Sequence, residues 1–349
     1  MYTFEIAGKR IGRGCPVFLV AEVSANHGQR LDRAVKMIKV AKESGADAVK
    51  FQAGRPDTLT INVDNKYFRI KHPQWGGQTL YELYEKAYTP WEWFKELKQI
   101  ADGLGIMFFA TAFDKTSVDF LEQLNVPVHK IASFELVDLP LIEYAAKTQK
   151  PLILSTGMAD ICEIQEAVNT ARQAGAKEII LLKCVSSYPA SPEDMNLKTI
   201  PHMKEFFNCP VGLSDHSLGI GASICAVALG ATAIEKHFTL SRKTKTLDGF
   251  FSIEPPELKS LVESIRVVEK AIGNVHYGTT DQEKKNKEMF GRSLFVVEDI
   301  KAGEVFTEDN IRSIRPGHGL SPKYLKDILG KTARKDIKKG RPLMWNLVD

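Results

Sequence analysis

The sequence predicts an α/β fold: a closed (β/α)8 TIM barrel with a small domain appended at its C-terminal end. Two patterns predict the barrel. Eight short runs are continuously apolar, as parallel strands covered on both faces must be. Between successive runs, apolar residues recur every three or four positions, as on the buried side of a helix. A third observation predicts the appendage: beyond residue 273 the chain turns polar, then carries a weak internal repeat.

The apolar runs fall at residues 17–23, 48–52, 106–113, 128–132, 152–155, 179–185, 211–213 and 233–238. Leu31, Ala34, Val35, Ile38 and Ala41 mark the first intervening helix. Leu258, Leu261, Val262, Ile265 and Val268 mark the last, which ends at Gly273. An open doubly wound sheet shares this alternation, but no GxGxxG follows the first run, and a count of eight favours closure. A hairpin with strands at 2–6 and 9–11, turning at Ala7-Gly8, precedes the barrel. Residues 57–86, after the second strand, form a long, polar, aromatic-bearing segment, and loops of that kind carry function in barrel enzymes. The barrel domain is thus assigned to residues 1–273, a linker to 274–290 and the second domain to 291–349. In the last, Asp299-Ile300-Lys301-Ala302-Gly303 recurs as Asp336-Ile337-Lys338-Lys339-Gly340. A domain of roughly 55–60 residues is near the lower limit for a self-sufficient core, which predicts that it docks on something.

Composition narrows the class. With 44% hydrophobic and 26% charged residues, the chain has the balance of a soluble globular protein. The N-terminal segment includes Glu5 and lacks an apolar core, so no signal peptide is expected. No apolar run approaches the ~18 residues that a membrane span needs. A net charge of +4, spread without a basic block, argues against nucleic acid as a partner. The five cysteines (Cys15, Cys162, Cys184, Cys209 and Cys225) are odd in number and lack CxxC spacing, which predicts reduced core thiols and a cytoplasmic protein.

A barrel enzyme places its chemistry where the strands end. The polar residues there are Glu22, Asn26 and His27; Lys50 and Gln52; Thr111 and Asp114; Lys130, Ser133 and Glu135; Ser155 and Thr156; Lys183, Ser186 and Tyr188; Ser214, Asp215 and His216; and Glu235, Lys236 and His237. Lysines within apolar strands are costly unless they meet an anion. Lys50, Lys130 and Lys183, set among hydroxyls, therefore predict a pocket for a small, multiply charged anion. The alternative for each is a structural ion pair with Glu22, Glu135 or Glu235. His216 and His237 end adjacent strands, so their rings can converge on a divalent metal, with Asp215 and Glu235 as neighbours that orient them. The residue types do not separate Mn²⁺, Mg²⁺ and Zn²⁺. A Schiff-base aldolase using Lys130 or Lys183 is the competing enzymatic reading, but it has no use for a histidine pair.

Six strand-end motifs then come into view together. They are Ala21-Glu22-Val23-Ser24-Ala25-Asn26-His27-Gly28, Ala48-Val49-Lys50-Phe51-Gln52, Lys130-Ile131-Ala132-Ser133, Leu154-Ser155-Thr156-Gly157-Met158, Gly212-Leu213-Ser214-Asp215-His216 and Glu235-Lys236-His237-Phe238. In this order they resemble the sialic acid synthase family, and Ile311-Arg312-Ser313-Ile314-Arg315-Pro316-Gly317 resembles that family's antifreeze-like (SAF) domain. The resemblance implies a cytoplasmic enzyme that condenses phosphoenolpyruvate with an N-acetylated amino-sugar aldehyde. It implies that Lys50, Thr111, Lys130, Ser133, Ser155, Ser186 and Ser214 hold phosphoenolpyruvate. His216 and His237 match the ligands of a Mn²⁺ or Mg²⁺ ion that polarises the aldehyde, and Glu22 matches the carboxylate near the reacting carbons. Gln52, Tyr188, Glu235 and Asp248 match positions near the acceptor sugar. Arg315 matches an arginine delivered by the partner subunit, which implies a domain-swapped homodimer.

Two departures concern the acceptor. Family members that use N-acetylmannosamine carry asparagine where this chain has Ser186, and another in the loop where it has Trp75-Gly76-Gly77. Leu80-Tyr81-Glu82-Leu83-Tyr84, Tyr88-Thr89-Pro90-Trp91-Glu92-Trp93 and Phe250-Phe251-Ser252-Ile253-Glu254-Pro255 instead resemble the branch that makes pseudaminic acid. That branch implies a 2,4-diacetamido-2,4,6-trideoxy acceptor of altrose configuration. The alternatives within the family are N-acetylneuraminate and legionaminate synthesis. A non-enzymatic carbohydrate- or ice-binding protein is the remote reading that the SAF-like tail suggests, and it leaves the strand-end lysines and histidines without a purpose.

Overall fold

The structure, a computed structural model, describes residues 3–349. The chain divides after Gly273 into two compact units. The first opens with an antiparallel hairpin, β1 (Thr3–Ile6) and β2 (Lys9–Gly12). Ala7 and Gly8 make its turn at φ 46° and 82°, the left-handed region that tight hairpin turns require. Tyr2, expected to open the first strand, lies outside the described residues.

Eight parallel strands follow: β3 (Phe18–Glu22), β4 (Ala48–Gln52), β5 (Met107–Ala112), β6 (His129–Ile131), β7 (Leu152–Ser155), β8 (Ile179–Cys184), β9 (Val211–Asp215) and β10 (Ala233–His237). Each pairs with the next, and β10 bonds to both β9 and β3, so the barrel closes. The seventh barrel strand outruns its apolar stretch because the polar Ser214 and Asp215 continue it.

Register fixes which residues face inward. Cα partners run Glu22–Lys50, Gln52–Thr111, Thr111–Lys130, Ser155–Leu182, Cys184–Ser214, Ser214–Glu235 and His237–Glu22 around the ring. Side chains alternate along a strand, so the residues between these face the surrounding helices. Those helices bury one stripe each. In Leu31–Glu43 it is Ala34, Met37, Ile38 and Ala41, and in Pro255–Ile272 it is Leu258, Leu261, Val262 and Ile265.

The long segment after β4 holds a short helix, Pro56–Leu59, and a second, Leu80–Ala87, before the barrel helix Phe94–Leu104. Thr79 starts the second: its hydroxyl accepts from Glu82 N while Glu82 Oε2 accepts from Thr79 N. Such reciprocal caps satisfy two otherwise orphaned donors.

The second unit corrects one expectation. The stretch read as a linker contains a helix, Asp281–Phe290, started by the same reciprocal cap between Thr280 and Glu283. None of its side chains is buried, so no apolar period could announce it. Beyond it, β11 (Ser293–Val296) pairs with β12 (Ile311–Ile314). Leu294, Val296, Ile300, Phe306, Ile328 and Leu343 are among the buried residues of a separate core. The repeat pairs with itself: Ile300 and Ile337 exchange backbone hydrogen bonds at 2.9 and 2.8 Å. Asp336 accepts from Ala302 N and Lys301 Nζ, while Asp299 accepts from Lys339 N and Lys338 Nζ. The two copies thus cap each other about a local two-fold.

All five cysteines are free. Cys184 and Cys209 are buried as expected, whereas Cys162 and Cys225 are exposed, because their apolar neighbours belong to helix faces rather than to strands. Among the described residues, no helix is long and apolar enough to cross a membrane.

Candidate active site

The inward residues at the C-terminal ends of the strands form one connected polar cluster. Lys50 Nζ lies 2.9 Å from Glu22 Oε2 and 3.3 Å from Glu235 Oε1, and donates to Thr111 Oγ1 at 3.0 Å. All four side chains are buried, so two carboxylates share one ammonium out of water. Ser214 Oγ donates to Glu235 Oε1 at 3.0 Å, and Gln52 Nε2 donates to Glu22 Oε1 at 3.0 Å. Burial alone would strip the proton from Lys50, but the two carboxylates outweigh it and hold the proton on. Burial raises Glu22 to about 7 against the pull of Lys50, and Glu235 adds to the rise. Burial presses Glu235 the same way, yet Lys130 and Lys50 prevail and keep it below the ordinary carboxylate range. Environments that push two carboxyls apart assign them different roles. Glu235 stays a fixed negative charge, and Glu22 is poised to exchange a proton near neutrality.

Beside this cluster, Lys130 Nζ donates to Ser155 Oγ at 2.7 Å and to the Ile131 carbonyl at 3.0 Å. Burial lowers its pKa to about 8. Ser133 Oγ accepts from Gly157 N at 3.1 Å. A Cβ on Gly157 would stand 2.2 Å from Ser186 Oγ and 2.8 Å from Ser133 Oγ, so only glycine lets these hydroxyls converge. An ammonium, three serine hydroxyls and a second ammonium at Lys50 make a cradle suited to a small polyanion. Glu135 is half-buried here, with its Oε2 atom buried and unpartnered, and desolvation raises it to about 7 despite Lys130.

The histidine rings lie 5.2 Å apart, centroid to centroid. His216 Nδ1 is 2.9 Å from the Val185 carbonyl oxygen. A carbonyl cannot donate, so Nδ1 carries the proton and Nε2 is the free lone pair of the neutral ring. His237 Nδ1 is buried without a hydrogen-bond partner, its closest acidic neighbour being Asp248 Oδ2 at 4.0 Å. Burial, with His216 close by, holds His237 neutral. For His216 burial works the same way, but Cys184 Sγ 3.7 Å away and the Val185 carbonyl outweigh it and raise its pKa, so Nε2 is open to a cation once the ring has given up its second proton. Two imidazoles with available nitrogens fit a divalent cation that water and substrate complete. Among the described residues, no set of three or more His, Cys, Asp or Glu side chains could hold a metal ion unaided.

Aromatic residues wall the other side. Tyr188 packs on His216 (4.5 Å between centroids) and on Phe251 (5.3 Å), and Phe251 packs on His237 (4.7 Å). Trp75, from the long loop after β4, stands 5.6 Å from Tyr188 and 6.0 Å from Phe250. Its Nε1 donates to the Leu247 carbonyl at 2.9 Å, so the loop is tied down across the mouth.

Several sequence expectations need correction. Lys183 lies in register with Leu213 on the helix-facing side of β8, and its Nζ donates to the Cys184 carbonyl. It joins neither the anion cradle nor a Schiff-base site. Asp215 does not orient His216: it faces outward, ion-paired with Lys236 at 2.9 Å and holding Ser217 and Ser223. His27 bonds to Thr89, and Asp114 caps the helix Lys115–Gln123. Glu235 keeps its place at the barrel mouth, paired with Lys50 and bonded to Ser214. Arg315 follows β12 in the second unit. Sequence reasoning missed Cys184 and Ser24. The inward register of β8 reveals the first, and a left-handed backbone, invisible in a residue string, marks the second.

A parallel barrel whose mouth gathers two buried lysines, split carboxyls and a histidine pair defines an enzyme that handles a small anion together with a polar second substrate. Residues 37–277 match the NeuB family and residues 291–349 match the SAF domain. The chain is 45% identical over 327 residues to a pseudaminic acid synthase of Campylobacter jejuni, covering 94% of this chain and 95% of that one. An N,N'-diacetyllegionaminic acid synthase of Legionella pneumophila is 35% identical, covering 97% and 96%. Among solved structures, an N-acetylneuraminic acid (sialic acid) synthetase from Leptospira borgpetersenii superposes with a TM-score of 0.73 at 34% identity, covering 82% of this chain and 95% of that one. The chain belongs to the NeuB family.

Proposed function

We propose that this enzyme is a pseudaminic acid synthase, condensing phosphoenolpyruvate with 2,4-diacetamido-2,4,6-trideoxy-altrose and water to give the nine-carbon sugar acid and phosphate. The observation that carries the acceptor assignment is the aromatic wall of Trp75, Tyr188, Phe250 and Phe251. A 6-deoxy, doubly acetamidated sugar presents more apolar surface than N-acetylmannosamine, and such a wall favours it. The higher identity to the Campylobacter enzyme than to the Legionella one supports the same choice.

In the reaction, C3 of phosphoenolpyruvate bonds to the sugar's aldehyde carbon while positive charge develops at C2. Water adds at C2, and the tetrahedral adduct expels phosphate by C–O cleavage. Lys50, Lys130, Ser133, Ser155, Ser186 and Ser214 hold the phosphate and carboxylate, so their contribution is orientation and fixed charge. Glu22 takes the proton of the attacking water, a task that suits a carboxyl held near 7. Gln52, Tyr188 and Asp248 face the acceptor. His216 and His237 hold a divalent cation, Mn²⁺ or Mg²⁺, which supplies Lewis-acid polarisation at the aldehyde oxygen when bound. In this reading the enzyme works in the cytoplasm as a domain-swapped homodimer, and Arg315 of each subunit completes the acceptor site of the other.

The test is phosphate release from phosphoenolpyruvate with Mn²⁺ and one sugar at a time: N-acetylmannosamine, the mannose-configured diacetamido sugar and the altrose-configured one. Release with the altrose-configured sugar alone is the expected result. Release with N-acetylmannosamine or with the mannose-configured sugar in its place moves the enzyme to neuraminate or legionaminate synthesis.

A further inference from the structure

Ser24 stands two residues beyond the end of β3 at φ 47°, in the left-handed region, and is buried at 3% exposure. A serine stays there only where its surroundings hold it, whereas glycine would adopt the same backbone freely. What serine adds is a hydroxyl, and that hydroxyl is fully used. Oγ donates to Asp248 Oδ2 at 2.5 Å and accepts from Gln52 Nε2 at 2.9 Å. The direction follows from valence: a carboxylate only accepts, so the single hydroxyl proton points at Asp248 and a lone pair faces Gln52. Gln52 Nε2 also donates to Glu22 Oε1 at 3.0 Å. Both amide hydrogens of Gln52 are thereby engaged within the protein, and its carbonyl Oε1 is the end left for a ligand. Gln52 is only partly buried, so that end can meet one.

We infer that Ser24 is a positioning residue for the acceptor sugar. Its hydroxyl couples Gln52 to Asp248, so the wall presents a fixed amide oxygen beside a fixed carboxylate to hydroxyl or amide N–H groups of the sugar. The inference rests on the acceptor site proposed above but not on which amino sugar fills it.

The experiment compares wild type, Ser24→Gly and Ser24→Ala in steady-state kinetics with whichever sugar the wild type turns over, alongside thermal melts. Ser24→Gly keeps the backbone conformation without strain and loses the whole CH2OH group, whereas Ser24→Ala loses the hydroxyl alone. Ser24→Gly is expected to raise KM for the sugar about tenfold and to leave KM for phosphoenolpyruvate within about twofold. Ser24→Ala retains the backbone strain, so it should show the same kinetic split and melt below Ser24→Gly. An unshifted sugar KM in Ser24→Gly overturns the inference, as does an equal rise in both KM values, which marks a merely structural residue. Wild-type silence with every amino sugar sinks the proposed function and this inference together. An active wild type with an unshifted variant sinks this inference alone.

Discussion

The Lys50 ammonium meets Oε2 of Glu22 at 2.9 Å across adjacent strands, with 4% of the lysine side chain exposed and none of the glutamate. Glu235 shares the same ammonium at 3.3 Å. Removing one partner from a buried ionic group leaves uncompensated charge, which costs about 3–5 kcal/mol. Lys50→Met should therefore lose stability on that scale at pH 8, measured by denaturant unfolding. The deficit should shrink toward pH 5.5. Without the lysine both folded-state carboxyls titrate higher, and a carboxyl raised above its unfolded value favours the folded state as pH falls. A small, pH-independent loss would show that the lysine does not hold the pair.

Lys130 makes a second, separable prediction. Burial brings its pKa to about 8, and the protonated form is the one that attracts an anion. The ratio kcat/KM for phosphoenolpyruvate reports ionisations of the free enzyme, so it should fall as pH rises through about 8. Lys130→Arg, whose guanidinium stays charged, should carry that falling limb beyond pH 9.5 even if its absolute rate is lower. A limb that stays in place in the arginine variant assigns the ionisation to another group.

These two lysines also show how far the sequence could be read. The barrel was legible because continuous apolar runs separated by 3.6-period segments admit few other folds, and seven of the eight runs enclose their strands. Strand-end position then found Glu22, Lys50, Thr111, Lys130, Ser155, Ser214 and both histidines. It could not tell inward from outward, and so it promoted Lys183 and made Asp215 a partner of His216. Counting by twos from Ser214 through the register would have put Cys184 inside and Lys183 outside. Ser24 lay beyond any such count, because nothing in a residue string announces a positive φ. The helix Asp281–Phe290 was hidden for the opposite reason: its only signal is Thr280 three residues ahead of Glu283, without a buried face.

The repeat in the second unit gives a prediction built on its local two-fold. Asp336 holds the Ala302 amide at 3.0 Å and Asp299 holds the Lys339 amide at 2.9 Å. Asp336→Ala should speed hydrogen exchange several-fold at Ala302 and leave Lys339 slow, while Asp299→Ala does the reverse. Backbone donation by Ala302 and the Lys301 ammonium hold Asp336 below its ordinary range; the Lys338 ammonium does so for Asp299. Both protections should therefore persist in mild acid and vanish together as pH drops through the depressed values. Exchange that rises equally at both amides in either variant would mean that the copies open as one unit instead.

His216 and His237 carry the last prediction. Binding of Mn²⁺ to chelator-stripped protein, followed by calorimetry or by loss of the free-ion spin-resonance signal, should show a site that His216→Ala and His237→Ala each weaken. The loss should exceed the roughly 10–100-fold that follows removal of an outer-sphere partner. Asp215→Asn serves as the control. Its carboxylate neutralises Lys236 at 2.9 Å rather than touching the imidazole, so it should lower stability while leaving Mn²⁺ affinity within a few-fold. Turnover should vanish on chelation, return with Mn²⁺ or Mg²⁺ in the wild type and in Asp215→Asn, and fail to return in the histidine variants. Full Mn²⁺ affinity in either histidine variant would place the cation elsewhere. The unpartnered Nδ1 of His237 would then call for a water or a substrate donor instead.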